Sequence, residues 1–130
     1  MTKEELIQYW IDSSDDNLKS MINMFNASEY LWSLFIGHLV IEKLLKAYYV
    51  KMIDREVPRI HDLHKLALKA KLDITEEQKD FLQYITLFNI ETRYEDYKKD
   101  FQKKCTKEFV EKNIERIKGL GIWLKERIKD

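Results

Sequence analysis

A chain of 130 residues, 45% hydrophobic and 35% charged, is long enough for one buried core and too short for two, so we predict a single globular domain over residues 1–130. The 23 basic and 23 acidic side chains cancel, which excludes a global field that would draw the chain to nucleic acid or to a membrane. The charge is uneven, however: residues 1–30 carry two lysines against six carboxylates, whereas residues 98–107 carry five lysines against one aspartate. We therefore expect any polyanion to bind near residues 98–107.

Cysteine usage and hydropathy indicate a reducing compartment without membrane contact. Cys105 is the only cysteine, which excludes an intrachain disulfide and a thiolate metal site. The opening stretch MTKEELIQYW lacks the apolar core of a signal peptide. The most apolar run, residues 30–41, has 12 residues and is too short to span a bilayer. We predict a cytoplasmic protein with no membrane segment.

Apolar residues recur with helical spacing along almost the whole chain, which contains only three glycines and one proline. No segment alternates polar and apolar residues with a period of two. The pattern predicts five helices, over residues 3–25, 29–53, 62–71, 76–92 and 107–129. The second is apolar around most of its circumference, so we expect it at the centre of the fold. We predict an all-α fold, an antiparallel bundle of three to four long helices plus a short helix.

The helix ends carry signals of their own. Thr2 and Thr75 each begin a capping-box pattern, at the starts of the first and fourth helices. Ser28 is expected to cap the second helix. The pattern assigns no helix to residues 93–106, which include the tyrosine-rich RYEDYKKDF.

Three polar side chains, His38, Glu42 and Lys46, lie one turn apart along the otherwise apolar second helix. Buried polar groups need partners or a wet cleft. The column therefore predicts either a structural ion pair at i, i+4 spacing or a polar groove that holds a ligand. We expect Arg93 to lie near such a groove.

The stretch RIHDLHKL, residues 59–66, places an arginine and two histidines beside the only proline. Arg59 and His64 satisfy the spacing R-x4-H of one class of ribonuclease site, but residues five apart point away from each other on a helix. His61 and His64 have the ring nitrogens of metal ligands, yet no third ligand accompanies them. Asp62 is expected to cap the third helix, and ligand contact by His61 stays open. We predict no metal site and no cofactor.

Three motifs occur in order along the predicted helices: EKLLKA at residues 42–47, HDL at residues 61–63 and RYEDY at residues 93–97. This set resembles the HEPN family, the higher-eukaryote and prokaryote nucleotide-binding domain. The resemblance implies a small helical bundle that binds nucleotides or RNA, is often dimeric, and is frequently encoded beside a minimal nucleotidyltransferase as a toxin–antitoxin pair. Many members are metal-independent ribonucleases with an R-x4–6-H motif.

The resemblance also assigns roles to residues at matching positions. Arg93 stands where the family has its functional arginine, which would hold a phosphate. No histidine follows His64, and Tyr97, four residues after Arg93, would share its face on a continuous helix. Arg93 and Tyr97 are therefore the catalytic candidates. The expected ligand- or RNA-binding residues are His38, Glu42, Lys46, His61, Arg93, Lys103 and Lys104.

We accordingly expect a nucleotide- or RNA-binding module that forms the HEPN half of a toxin–antitoxin type pair with a minimal nucleotidyltransferase. One alternative is an active metal-independent ribonuclease toxin that uses Arg93, and a second is a non-catalytic structural interaction domain. A homodimer is also expected, because the second helix is apolar on more faces than two neighbouring helices can cover. The aromatic residues concerned are Trp32, Phe35, Tyr48 and Tyr49.

Overall fold

The computed structural model describes all 130 residues and contains six helices and no strand. In chain order the helices are α1 (Lys3–Asn26), α2 (Tyr30–Met52), α3 (Leu63–Lys69), α4 (Glu76–Arg93), α5 (Glu95–Lys104) and α6 (Lys107–Lys129). The predicted all-α bundle is confirmed, with four long helices. Every predicted helix begins and ends within two residues of an observed one, and α5 has no counterpart among the predicted helices.

The centre of the fold is α2, as its apolar circumference predicts, and twelve of its 23 residues are buried. α1 runs antiparallel to it, because Ser14 Oγ donates to the Val40 carbonyl and Ser33 Oγ donates to the Met21 carbonyl, each at 2.8 Å. Both serines are fully buried, so these hydrogen bonds satisfy hydroxyl groups that would otherwise destabilise the core.

α6 packs against another side of α2 and runs parallel to it. A Cβ on Gly37 would lie 2.7 Å from Ile117 Cδ1, and fourteen positions later on α2 Lys51 Nζ donates to the Arg127 carbonyl at 2.9 Å. Gly37 therefore marks the closest approach of the two helices. With α1, α3, α4, α5 and α6 all packed on it, α2 needs no second chain to bury it, and of its five large aromatic residues only Trp32 is exposed.

α3 and α4 close the remaining side of the bundle. The Asp62 side chain accepts a hydrogen bond from the Lys65 amide at 3.0 Å and caps α3, as predicted. The amide of Leu63, the first residue of α3, donates to Thr86 Oγ1 at 3.0 Å and links α3 to the middle of α4. None of the six helices combines the length and the apolar character that crossing a membrane requires.

Residues 93–106 contain a helix where the sequence pattern assigns none. Tyr94 is extended, with φ −99° and ψ 120°, so α4 ends there and α5 begins without a side-chain cap. Tertiary contacts hold α5 instead: the buried Phe101 ring stacks on Phe88 with 5.7 Å between centroids, and Lys98 Nζ lies 5.0 Å from the Trp32 ring centroid. These partners are distant in sequence, so no local signal marks the helix.

Of the remaining predictions for helix ends, two are confirmed and one is wrong. Both predicted capping boxes form, at Thr2 and at Thr75. Ser28, in contrast, does not cap α2: its φ of 62° is left-handed, and Glu29 occupies the cap position without a side-chain hydrogen bond. The tight α1–α2 turn therefore takes precedence over the capping preference of serine.

Candidate functional site

The predicted polar column belongs to a connected cluster around Glu42, on the side of α2 that faces the loop before α3. Lys46 Nζ donates to Glu42 Oε2 at 3.1 Å, and His61 Nδ1 lies 2.8 Å from Glu42 Oε1. His38 Nε2 lies 3.0 Å from the His61 carbonyl oxygen. We call His38, Glu42, Lys46 and His61 the Glu42 cluster. The spacing of α2 supplies three members, and the loop supplies the fourth.

The hydrogen bonds fix which nitrogen of each histidine carries a proton. A carbonyl oxygen only accepts, so His38 Nε2 carries the proton and donates a hydrogen bond to the His61 carbonyl. An ionised Glu42 also only accepts, so His61 donates from Nδ1. Nε2 of a neutral His61 is then an unprotonated acceptor, on a side chain that is 57% exposed. His38 Nδ1 is buried and has no hydrogen-bond partner.

Burial and pairing together set the charges within the Glu42 cluster. Burial would raise the pKa of Glu42, but the hydrogen bond from His61 and the charge of Lys46 outweigh it, so the pKa lies below its ordinary 4.5. Burial lowers the pKa of His38 below 6.5, although the hydrogen bond to His61 and the charge of Glu42 oppose the shift. At neutral pH the cluster therefore combines a carboxylate, an ammonium group and a neutral buried imidazole.

The Glu42 cluster fastens the loop before α3 to α2 and exposes one functional group. A buried carboxylate is tolerated only when it is paired, and Lys46 and His61 provide that pairing. The Lys46 and Glu42 side chains are only 15% and 4% exposed, and that of His38 is fully buried. A ligand can reach the cluster mainly through the ring edge of His61. The ion pair and the ligand-contact interpretation are thus compatible.

Arg93 is exposed at the last position of α4. Its guanidinium donates to Asn89 Oδ1 at 3.2 Å and lies 5.8 Å from the Tyr94 ring centroid. It forms no ion pair with Glu95 or Asp96, so it does not fasten the loop electrostatically. The N–H donors of its guanidinium are accessible to an anion from solvent.

Arg93 was expected near the Glu42 cluster, but no hydrogen bond or ion pair joins them. Arg93 lies on the same face of α4 as Thr86, two turns further along. Because Thr86 is bonded to Leu63, Arg93 is about 10 Å along α4 from the segment that carries His61. The two groups are neighbouring features of one side of the bundle.

Tyr97 is exposed in the first half of α5, and the expected shared helical turn with Arg93 does not form. The extended Tyr94 separates the two helices that carry them. Lys98, which is not among the predicted site residues, lies over Trp32 and stands five residues after Arg93, where an R-x4-H motif would have its histidine. That spacing alone could have identified it.

Lys103 and Lys104 are exposed in the last turn of α5, where the helix dipole favours cations. Together with Arg93, Lys98 and Lys99 they form what we call the α5 basic surface. None of these five side chains has an acidic partner within ion-pairing distance. The charge asymmetry in the sequence therefore corresponds to a real surface of unpaired cations.

Arg59 and His64 do not form a site with each other. His64 Nδ1 lies 3.5 Å from Gln83 Nε2 on α4, whereas Arg59 is exposed in the loop with no hydrogen bond or ion pair of its own. The R-x4-H spacing in RIHDLHKL thus corresponds to no shared contact.

The structure is a small helical domain with a buried polar cluster on one side of α2 and unpaired cations on α5. Residues 7–127 match the family model described as the HEPN domain. The chain therefore belongs to the HEPN family, and its structure is a HEPN-like helical bundle. Membership supports a nucleotide- or RNA-related role. No curated protein and no solved structure matches the chain.

Proposed function

We propose that this HEPN domain binds nucleotide or RNA phosphates, and that a single RNA strand lies across the α5 basic surface. The observation that carries the proposal is that all five cations of this surface lack an acidic partner. Five cations within residues 93–104 are therefore free to act together. Elsewhere some lysines are paired, such as Lys118 with Glu115 and Lys125 with Asp15, and the unpaired Lys3 and Lys19 are two lysines among six carboxylates of residues 1–30. Unpaired cations along one helix are what a polyanion needs in order to release its counterions.

Aromatic rings accompany these cations. Trp32 is 40% exposed beneath Lys98, and Tyr97 is 57% exposed. Bases of a single strand stack on such rings with little sequence preference, and each stack contributes about 1–3 kcal/mol. Arg93 adds a planar fork that fits a phosphate. His61 belongs to the segment that meets α4 at Thr86, about 10 Å along that helix from Arg93. It would contact the strand at the next sugar or phosphate.

The same surface supports binding more than the ribonuclease alternative. The R-x4–6-H spacing would place a histidine at residue 98, 99 or 100, and these are Lys98, Lys99 and Asp100. Tyr97 is separated from Arg93 by the break in the helix, and a tyrosine hydroxyl is a poor proton shuttle at neutral pH. We therefore propose that Arg93 and Tyr97 hold the strand without cleaving it.

The proposed partners are a second copy of the chain and a minimal nucleotidyltransferase, the latter in a toxin–antitoxin type pair. The homodimer is supported by exposed apolar side chains at the end of α4, namely Leu87 and Ile90 on one face of the helix and Tyr94 directly after it. The nucleotidyltransferase is supported by the family resemblance alone. Co-expression with the product of the adjacent gene, followed by co-purification, tests that pairing.

The direct test of RNA binding is fluorescence anisotropy of a labelled single-stranded RNA at several salt concentrations. Each phosphate contact with a single strand contributes about −0.7 to the slope of log K against log salt. The Lys103→Ala/Lys104→Ala double variant should bind every sequence more weakly than the wild type. Its salt slope should be shallower by about 1.4.

The matched control is Lys3→Ala/Lys19→Ala, which removes two exposed lysines of α1 that lie outside the α5 basic surface. This control loses the same charge and should keep the affinity and salt slope of the wild type. Equal losses in the two double variants would refute the assignment to α5. Absence of RNA binding by the wild type at low salt would refute the function and favour a structural interaction domain.

A further inference from the structure

A groove runs between α4 and α6 on a different side of the bundle from the Glu42 cluster. α4 and α6 both pack on α2 and not closely on each other. Two cavities of about 450 and 420 Å³ lie between them. Both cavities are lined by Glu77, Phe81 and Arg116, so they form one continuous groove. Each is within the size range of small-molecule sites.

Two cations, Arg116 and Lys112, line this groove, and Arg116 is the one that is held in a fixed position. Its guanidinium carbon lies 3.9 Å from the centroid of the Phe81 ring, a stacked position that holds the group in one orientation. Glu77 and Asp80 line the same groove, yet Arg116 forms no ion pair with either. Its donors are therefore oriented but unused, which is the state of a guanidinium prepared for an anion.

Asn113, one turn before Arg116 on α6, supplies a polar group of another kind. It is 3% exposed and lines the groove. Its Nδ2 donates to the Phe109 carbonyl at 2.9 Å, which orients the amide, while Oδ1 is buried without a hydrogen-bond partner. An unsatisfied buried acceptor is costly, so a ligand that brings an N–H donor would remove that cost.

Aromatic rings and carboxylates complete the lining. Tyr84 and Phe109 flank Asn113 at one end of the groove. Burial raises the pKa of Tyr84, so its hydroxyl stays protonated as a donor. Asp80 is exposed and lines the groove together with these rings and Arg116, and its carboxylate is an acceptor for sugar hydroxyls. Asp80 and Glu77 together offset the charges of Arg116 and Lys112, which disfavours a polyanion and favours a ligand with a single anionic group.

We propose that this groove binds a 6-aminopurine mononucleotide such as AMP. The base stacks between Tyr84 and Phe109, its exocyclic amino group donates to Asn113 Oδ1, and the phosphate binds Arg116. The ribose hydroxyls face Asp80. This site is separate from the α5 basic surface and does not depend on RNA binding there.

The test is isothermal titration calorimetry of the wild-type protein with AMP, IMP and adenosine. IMP has a carbonyl oxygen in place of the amino group, and its N1–H donor lies one ring atom away. In the pose proposed for AMP it therefore places an acceptor, not a donor, against Asn113 Oδ1. AMP should bind saturably and at least about tenfold more tightly than IMP, since a buried acceptor left unpaired costs that much or more. Adenosine should bind more weakly than AMP because it lacks the phosphate.

Two variants assign the contacts. Arg116→Ala, at an exposed position, should reduce AMP affinity to that of adenosine, and Asn113→Ala should remove the preference for AMP over IMP. Lys118→Ala is the matched control, because it removes one positive charge from α6 on the side facing α1. Circular dichroism checks that each variant is folded.

The AMP/IMP comparison needs no variant, so it remains decisive if Asn113→Ala unfolds. Equal affinity for AMP and IMP, no saturable AMP binding at millimolar concentration, or equal losses in Arg116→Ala and Lys118→Ala would each overturn the proposal. Bound AMP should not displace RNA from the α5 basic surface. Failure of this site is thus distinguishable from failure of RNA binding.

Discussion

His38 and Glu42 make the bundle sensitive to acid through two different causes. His38 is neutral in the folded protein because burial disfavours its charged form, whereas Glu42 is ionised because its partners stabilise the carboxylate. Both folded pKa values are below the unfolded ones, so the unfolded chain binds more protons as the pH falls. By linkage, the free energy of unfolding then decreases on acidification.

This effect predicts a loss of stability from pH 6.5 downward for His38 and a further loss below pH 4.5 for Glu42. One such group changes the free energy of unfolding by at most about 1.4 kcal/mol per pH unit. Urea denaturation at about pH 7.5 and about pH 5.5 measures the first part. His38→Gln, whose amide can still donate to the His61 carbonyl, should lose less stability between these pH values than the wild type.

His64→Gln is the control for that comparison, because His64 is only half-buried and lies outside the Glu42 cluster. It should retain the pH dependence of the wild type. If His38→Gln lost as much stability as the wild type, the buried imidazole would not be the group that senses the acid.

Arg93 and Arg59 give opposite predictions for RNA binding. Arg93→Ala should weaken binding by about 1.5–3 kcal/mol, the usual contribution of a hydrogen bond to a charged group. It should cost no more than about 1 kcal/mol of stability, since Asn89 is its only hydrogen-bonded partner. Arg59→Ala should change neither quantity. Anisotropy and urea denaturation measure both, and the reverse outcome would place the site at RIHDLH.

Among the helices, α1, α2, α4 and α6 could be located from the sequence because each carries a long apolar repeat. The i, i+4 spacing on α2 likewise made His38, Glu42 and Lys46 recognisable as one column. α5 could not be located in this way, since Phe101 alone anchors it in the core and no cap precedes it. The joining of His61 to Glu42 depends on how a loop 19 residues away in sequence folds back, which periodicity does not encode.

Asn113 and Arg116 show a further limit of the same kind. On the sequence they are ordinary polar positions of α6, one turn apart. Only the placement of α4 opposite them reveals that one lacks a partner and that the other stacks on Phe81. Groove chemistry between two helices depends on their relative rotation, which neither helix specifies alone.

Two glycines inside long helices should respond to alanine with opposite signs. A Cβ on Gly119 of α6 would meet nothing within 4 Å, so Gly119→Ala should stabilise the protein by about 1 kcal/mol through helix propensity. A Cβ on Gly37 of α2 would lie 2.7 Å from Ile117 Cδ1 and 3.1 Å from Met21 Sδ, both fully buried. Gly37→Ala should therefore destabilise it by about 1 kcal/mol.

Urea denaturation of the two variants at one pH measures this difference directly. Equal stabilisation by both substitutions would mean that α2 and α6 separate slightly at no cost. The closest approach at Gly37 would then not be what sets their distance.

At the scale of the whole molecule, we predict a homodimer with α4 at its interface. Most of α2 is covered within one chain, and Leu87, Ile90 and Tyr94 offer a partner three exposed apolar side chains at the end of α4. Light scattering at tens of micromolar should give twice the 15.8 kDa mass of the chain. The Leu87→Lys/Ile90→Lys variant should be monomeric, whereas Ile122→Lys, at an exposed apolar residue of α6, should remain dimeric. A monomeric wild type would contradict the prediction.

Cys105, at the end of α5, has a consequence for how this protein can be handled. The residue is 7% exposed, and burial raises the pKa of its thiol to about 12. At neutral pH roughly one molecule in 10⁵ then carries the reactive thiolate. A maleimide dye or spin label should therefore leave the native thiol untouched while modifying a cysteine introduced at an exposed position such as Lys99 or Glu77. Distances between labelled protomers and the approach of labelled RNA become measurable without first removing the natural cysteine.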